Sequence, residues 1–198
     1  MSKISLQPNA SGTGTFTLAA PDSNTNRTLT LPDEAGKILT NATPGTVLQV
    51  VSVTKTDFFS TTSTSYVDVP GVSATLTPSS ASNKIVVVLT GASSGSDSNS
   101  FAYGVLVRNG TQIAIGDARG SAQRATFDLA QQQAGNPVVW AKPFCIYLLD
   151  SPSSTSALTY KLQVKRTLQD IGIGGTWDTG DGNRSNVPTT ITLMEIAG

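Results

Sequence analysis

The chain has 198 residues, and its 13 basic and 13 acidic side chains cancel to a formal net charge of zero. This balance argues against a surface for nucleic acid or for an anionic membrane, because both attract clustered positive charge. Histidine is absent and there is one cysteine. That excludes zinc sites built on these residues, Ser-His and Cys-His nucleophile pairs and an intramolecular disulfide.

Residues 1–45 have few apolar side chains and are broken by four prolines. Two short pieces, residues 15–18 and 27–31, have the alternation of a β-strand. A segment with so few apolar side chains buries too little surface to offset the entropy cost of ordering its backbone, roughly 1–2 kcal/mol per residue. We therefore expect a short extended β segment that becomes ordered by association, most simply in a homo-oligomer.

Residues 46–198 show strand signals throughout, with β-branched and aromatic residues in alternation between turn-forming residues. Serine and threonine make up about a quarter of the chain, which is typical of strands with one hydroxyl-bearing face. The predicted strands are residues 47–54, 66–69, 73–77, 84–90, 102–108, 111–115, 138–149, 157–166 and 189–196. One further stretch, residues 126–134, has a composition that tolerates one or two helical turns.

Three of these strands carry specific expectations. Asn109-Gly110 lies between two apolar runs and predicts a tight type I′ hairpin, since both residues tolerate positive φ. In residues 157–166, apolar side chains alternate with polar ones, which predicts a buried face and a wet face. Residues 189–196 are apolar on both faces, so we expect a central strand or one covered by a neighbouring subunit.

Two single residues in the predicted strands also lead to expectations. Cys145 stands between Phe144 and Ile146 without a basic neighbour, a context that favours a buried, small apolar side chain over a reactive thiol. Glu195 stands among apolar residues, so its carboxylate must pair with Lys or Arg or face water at an edge. We interpret Glu195 as a hydrogen-bonding group at an interface.

The most unusual stretch is the glycine-rich loop of residues 170–188. An aromatic ring beside carboxylate, amide and guanidinium groups suits saccharide recognition, because an apolar sugar face stacks on the ring while the hydroxyls find donors and acceptors. The candidate receptor-binding residues are Trp177, Asp178, Asp181, Asn183 and Arg184. The alternative interpretation is a solvated connection whose glycines merely allow turns.

Other chemistries are weighed and set aside. Asp178, Asp181 and Asn183 offer oxygen ligands, but the spacing departs from that of a calcium-binding loop, so no metal and no cofactor is expected. Hydrolysis of a glycan by a pair of carboxylates remains an alternative, because the sequence does not give the distances between its aspartates. The aspartates considered are Asp117, Asp128 and Asp150. Phe58 and Phe59 are expected at a strand end or bulge.

The N-terminal residues 12–18 and 26–39 resemble a short β module that recurs in tail fibres of tailed bacteriophages. A second set of segments is similar to C-terminal β domains of phage fibre and virion surface proteins. This set comprises residues 45–51, 61–69, 83–88 and 190–196. Together the two resemblances cover most of the chain.

The resemblance implies a trimeric virion structural protein, made in the host cytoplasm and lacking catalytic residues. Residues 1–45 would be an attachment or shaft segment that docks on other virion proteins. Residues 46–198 would be a jelly-roll-like antiparallel β-sandwich head that contacts a host surface. The leading expectation is a tail fibre or receptor-binding protein, with a capsid decoration protein that clamps the shell as the runner-up. A small glycan-binding or glycan-cleaving protein is the third alternative.

Overall fold

The computed structural model describes residues 11–15, 17, 19, 22–26, 28, 43–96, 101–129, 141–177 and 185–198. The chain divides into two compact units, Met1–Lys37 and Ile38–Gly198. In the first unit the described residues belong to no strand or helix. They include only Thr15, Thr17 and Thr28 of the two predicted β-like pieces, and the rest of those pieces lies outside the described residues.

The described part of the second unit consists of strands and loops without a helix. The strands are β1 (Val47–Lys55), β2 (Phe59–Thr61), β3 (Val67–Leu76), β4 (Lys84–Gly95), β5 (Phe101–Arg108), β6 (Thr111–Ile113), β7 (Phe127–Asp128), β8 (Lys142–Asp150), β9 (Leu158–Leu168), β10 (Ile171–Ile173) and β11 (Thr189–Ile196).

The strands form two antiparallel sheets that pack face to face as a β-sandwich. In sheet A the central pair is β4 and β11, with β1 beside β11 and β8 on the other side of β4; β10 and β2 continue the sheet beyond the end of β11. Sheet B has the order β3, β9, β5, and then β6 and β7 one after the other along the edge of β5. The predicted all-β sandwich is therefore confirmed.

The core lies between the sheets, and along β9 and β11 the buried residues alternate with partly exposed ones. Ile191 and Leu193 of β11 in sheet A and Leu162 and Val164 of β9 in sheet B belong to this core, and all four are fully buried. Burial of aliphatic side chains of this size stabilises the fold by about 1.5–3 kcal/mol each relative to exposure. The two sheets therefore share one hydrophobic core.

Several expectations hold in detail. Asn109 and Gly110 have φ of 47° and 86° and join β5 to β6, as the type I′ hairpin requires. β11 is a central strand, flanked by β1 and β4. Along β9 the even-numbered residues from Leu158 to Val164 are buried, whereas the polar residues between them face outward.

Other expectations are wrong. Pro70 and Gly71 do not separate two strands, because β3 continues through them as a bulge in which the register jumps from Asp68 to Ser73. Phe127 and Asp128, placed in the helix-tolerant stretch, form β7 against β5, while residues 130–134 lie outside the described residues. Short strands such as β7 are set by their partners rather than by local propensity.

Cys145 is exposed rather than buried. It lies on β8, where Phe144 and Ile146 turn toward the core, so the period of two places the cysteine on the opposite, outer face. Because Phe144 and Ile146 both point toward the core, the residue between them points away from it. The apolar neighbours that suggested burial therefore account for the exposure of Cys145.

Candidate functional site

The glycine-rich loop 170–188 is anchored at both ends by backbone hydrogen bonds. It begins as β10, which lies between β4 and β2. Beyond β10 the Gly174 amide donates to the Ala92 carbonyl at 2.9 Å, and the Val187 amide donates to the Gly174 carbonyl at 3.0 Å. The Thr176 amide donates to the Ser185 carbonyl at 3.0 Å. Two chain segments thus run antiparallel, and we call them the neck of the loop.

The glycines of this neck have a packing role. Gly174 has φ of 98° and is buried, a conformation in which a side chain would be strained. At Gly175 a Cβ would stand 2.7 Å from the Ser185 carbonyl oxygen, so the bridge between Gly175 and Asn186 needs glycine. The interpretation of these glycines as mere turns in a solvated connection is therefore wrong for residues 171–176, all of which are buried.

Two aromatic rings lie at this neck. Phe58, immediately before β2, lies against Gly172, where any Cβ would overlap its ring. Trp177 meets Phe58 edge to face, with ring centroids 6.0 Å apart and planes at 77°, a favoured geometry for aromatic pairs. Trp177 is half-buried, so part of its indole stays accessible at the base of the loop tip. Phe59 opens β2, as expected for a strand end.

Of the five candidate receptor-binding residues, the structure describes Trp177. The other four lie outside the described residues; they are Asp178, Asp181, Asn183 and Arg184. The calcium interpretation rests on three of these residues and is therefore not tested by the structure. Among the described residues no group of three or more His, Cys, Asp or Glu side chains is placed to hold a metal ion.

The outer face of sheet B carries a polar and aromatic cluster that the sequence did not single out. The Lys165 ammonium lies 4.8 Å from the centroid of the Tyr66 ring and 5.8 Å from that of Tyr103, within cation–π range. It also donates to Gln123 Oε1 at 2.7 Å. Partial burial raises the pKa of the Tyr66 hydroxyl, and this hydroxyl donates to the Arg124 carbonyl at 3.4 Å.

A second cluster continues along the same face. Asp68 accepts hydrogen bonds from Lys161 Nζ and Gln163 Nε2, both at 2.7 Å, and these two bonds hold the pKa of the carboxyl below its usual value. Beside it, the β3 bulge and the Asn109-Gly110 turn border an open polar groove of about 510 Å³. The alternation in β9 predicted a wet face, but only the cross-strand register shows which polar groups meet.

Glu195 is 1% exposed and is held entirely by neutral donors. Gln49 Nε2 donates to one oxygen at 2.6 Å; the Ser79 amide, the Ser79 hydroxyl and Asn83 Nδ2 donate to the other at 2.5–2.8 Å. Burial opposes ionisation of Glu195, but these hydrogen bonds outweigh it and lower the pKa. The expectation of a basic partner or a wet edge is therefore wrong, because several neutral donors stabilise a buried carboxylate as well as one cation does.

Asp150 links the two sheets. From the end of β8 its Oδ2 accepts hydrogen bonds from Arg108 Nη1 of β5 at 2.5 Å and from the Tyr160 hydroxyl of β9 at 2.6 Å. Burial and the Asp150 carboxylate raise the pKa of Tyr160. The carboxylate that sequence left open for glycan hydrolysis is thus engaged in a structural contact.

No protein-family model matches the sequence, and no curated protein matches it either. Among the described residues, no helix is long and apolar enough to cross a membrane.

Proposed function

We propose that the chain is a structural protein of a tailed-phage virion, a non-enzymatic tail fibre or receptor-binding protein that assembles as a homotrimer. Residues 1–45 dock on other virion proteins, and the β-sandwich is the head that contacts the host cell surface. The loop 170–188 makes the contact, with a surface glycan as the favoured class of receptor.

The observation that carries this proposal is the hydrogen-bonded and packed neck of the loop. Recognition sites are placed most accurately when a loop stands on a fixed scaffold. Here three glycines, a β-bridge and the Phe58–Trp177 pair fix the base of a loop whose sequence between Trp177 and Ser185 includes charged and amide side chains. A half-buried indole is a suitable platform for the apolar face of a sugar.

The first experiment is gold labelling of intact particles with an antibody raised against residues 46–198, scored by position. We expect label at the distal end of the tail. Label spread over the head would replace the fibre with a capsid decoration protein whose first 45 residues grip the shell. Particles without label would overturn the virion proposal altogether.

The second experiment measures adsorption of particles carrying Trp177→Ala to host cells. We expect adsorption to be abolished while the thermal unfolding of the purified variant stays close to that of the wild type, since the indole is only half-buried. Tyr66→Ala, on the outer face of sheet B, is the comparison variant. Loss of adsorption with Tyr66→Ala but not with Trp177→Ala would move the receptor site to that face.

Release of reducing sugar from host polysaccharide would contradict the non-enzymatic assignment.

A further inference from the structure

The outer face of sheet A carries apolar side chains on all four of its long strands. One cross-strand row, in register through three strand pairings, consists of Leu149, Val86, Met194 and Val50. Leu149 and Val50 are 52% and 57% exposed, and Tyr147 in the next row is 70% exposed. Val47 and Ile196 extend the patch at one end. Four of the five exposed large hydrophobic side chains in the described residues lie on this face.

The remaining hydroxyl groups of this face largely satisfy one another. Ser52 Oγ and Thr192 Oγ1 are 2.8 Å apart, and Thr54 Oγ1 and Thr190 Oγ1 are 2.9 Å apart, so each hydroxyl has a cross-strand hydrogen-bond partner. Covering a polar group is costly when it loses water without gaining a partner. The hydroxyl rows therefore oppose desolvation much less than unpaired hydroxyls would.

The face is also almost free of charge. Among the outward positions of these strands, Lys84 is the charged residue, at a corner of the face, where its Nζ donates to Ser151 Oγ at 3.0 Å. Two copies of a charged face repel each other, whereas two copies of a neutral apolar face do not. The face is thus chemically suited to contact a second copy of the chain, face to face about a twofold axis or packed about the threefold axis of a trimer.

We propose that the outer face of sheet A is covered by a second copy of the chain. Four strands spaced by about 4.8 Å, over seven residues that each rise about 3.4 Å, present roughly 450 Å² in projection. A stable complex takes about 800 Å² of accessible surface from each partner. The face thus supplies the larger share of a standard interface, with the flanking loops as the rim. This proposal names the surface of self-association and does not depend on the virion assignment.

The test compares two substitutions of the same kind at equal exposure. Leu149→Asp puts a carboxylate into the face, whereas Leu168→Asp puts one at the end of β9, where the leucine is 55% exposed. The full chain and both variants are examined by sedimentation equilibrium and light scattering over a range of micromolar concentrations. We expect an oligomer for the wild type and for Leu168→Asp, and a dissociation constant at least about tenfold higher for Leu149→Asp.

Val50→Asp, on the opposite edge strand, repeats the test if Leu149→Asp fails to fold. Cys145, the single cysteine, lies in the same face, so it should react with maleimide more slowly in the oligomer than in the dissociated variants. A wild type that stays monomeric, or equal association of all variants, would overturn the proposal. An oligomer broken equally by Leu168→Asp would overturn it too. A monomeric wild type would also remove the homotrimer from the proposed function, whereas the labelling and adsorption experiments test the virion and receptor assignments independently.

Discussion

The two sheets share one core but differ on their outer faces. On sheet B, charged and amide side chains meet partners from the same chain, as in the Lys161–Asp68–Gln163 group and in Lys165 between two tyrosines. On sheet A, most outward positions are apolar side chains or mutually bonded hydroxyls, and the charged Lys84 lies at a corner. The polar groups on the outer face of sheet B are hydrogen-bonded and suited to contact with water. Covering the outer face of sheet A is favourable, because it removes apolar surface from water.

This difference shows that a low overall charge is not spread evenly. A sandwich with 13% charged residues has few charges to cover two faces, and here sheet B has most of those that face outward in the strands. Single exposed apolar residues need no explanation, but a contiguous patch does. The uneven distribution therefore points to a molecule with one side for solvent or ligand and one side for its own copies.

The largest expected effect concerns the inner side of sheet A. Glu195→Gln replaces a buried carboxylate by an amide whose NH₂ group faces other donors, so we expect a loss of about 3 kcal/mol in the free energy of unfolding. Asp68→Asn, the matched change on the exposed face of sheet B, should cost only about 0.5 kcal/mol. Urea titration of both variants provides the measurement. Equal losses would mean that the buried carboxylate contributes no more than a surface one.

The same residue predicts a pH dependence. The pKa of Glu195 is lower in the folded protein than its ordinary value, so its contribution is present above the unfolded-state pKa and is lost as pH falls through the folded-state pKa. The difference in stability between wild type and Glu195→Gln should therefore shrink on acidification. Thermal unfolding at pH 7 and at successively lower pH tests this. A difference that grows in acid would contradict the direction of the shift.

The next effect tests whether β8, one edge of the apolar face, is tied to sheet B. Asp150→Ala removes the acceptor shared by Arg108 and Tyr160 and leaves both without it, so we expect a loss of about 2 kcal/mol. Tyr160→Phe removes one hydroxyl and should cost about 1 kcal/mol. Because Asp150 follows Leu149 directly, Asp150→Ala should also weaken self-association. Urea unfolding and sedimentation equilibrium provide the measurements. Reduced stability with unchanged association would mean that the Asp150 contact stabilises the fold without affecting the outer face of sheet A.

Much of the fold was predictable because it depends on local pattern. The period of two located β1, β4, β5, β9 and β11, and Asn109-Gly110 located a hairpin. β2, β7 and β10 escaped prediction because strands of two or three residues hold too little periodicity and are fixed by their partners. The bulge in β3 was misread as a break, since Pro70 and Gly71 carry the same signal in a bulge as in a turn.

The candidate site was predictable in composition but not in construction. The aromatic and glycine content of residues 170–188 singled out the loop, yet the packing of Phe58 on Gly172 joins residues far apart in sequence. The cross-strand row from Leu149 to Val50 was visible only in part, as apolar residues on both faces of β11. A row that crosses four strands depends on register, which the sequence of one strand does not contain.

A smaller effect separates the two faces by matched hydroxyl changes. Thr192→Val on sheet A and Thr159→Val on sheet B each remove one member of a cross-strand hydroxyl pair, with 2.8 Å in both pairs. We expect Thr159→Val to change stability and association by less than about 0.5 kcal/mol, because water replaces the lost partner. Thr192→Val should weaken association by about 1 kcal/mol, because Ser52 is left unpaired when covered.

The double variant Ser52→Ala/Thr192→Val closes this comparison. Removing both hydroxyls leaves no unsatisfied group, so association should return to the wild-type level or exceed it. Sedimentation equilibrium on the wild type, Ser52→Ala, Thr192→Val and the double variant gives the coupling between the two positions. Near-zero effects for Thr192→Val, with association intact, would mean that the hydroxyl rows lie outside the covered area.

The smallest effect is the response to salt, which should have different signs on the two faces. The Lys161–Asp68 pair is partly exposed, so Lys161→Met should cost at most about 0.5 kcal/mol at low ionic strength and less as salt screens the pair. Self-association through an uncharged face has no ion pair to screen, and a strongly excluded salt such as sulfate should strengthen it. Unfolding and sedimentation in a salt series measure both. Association that weakens steadily with salt would show that copies meet through charged groups and would turn attention from sheet A to the face of sheet B.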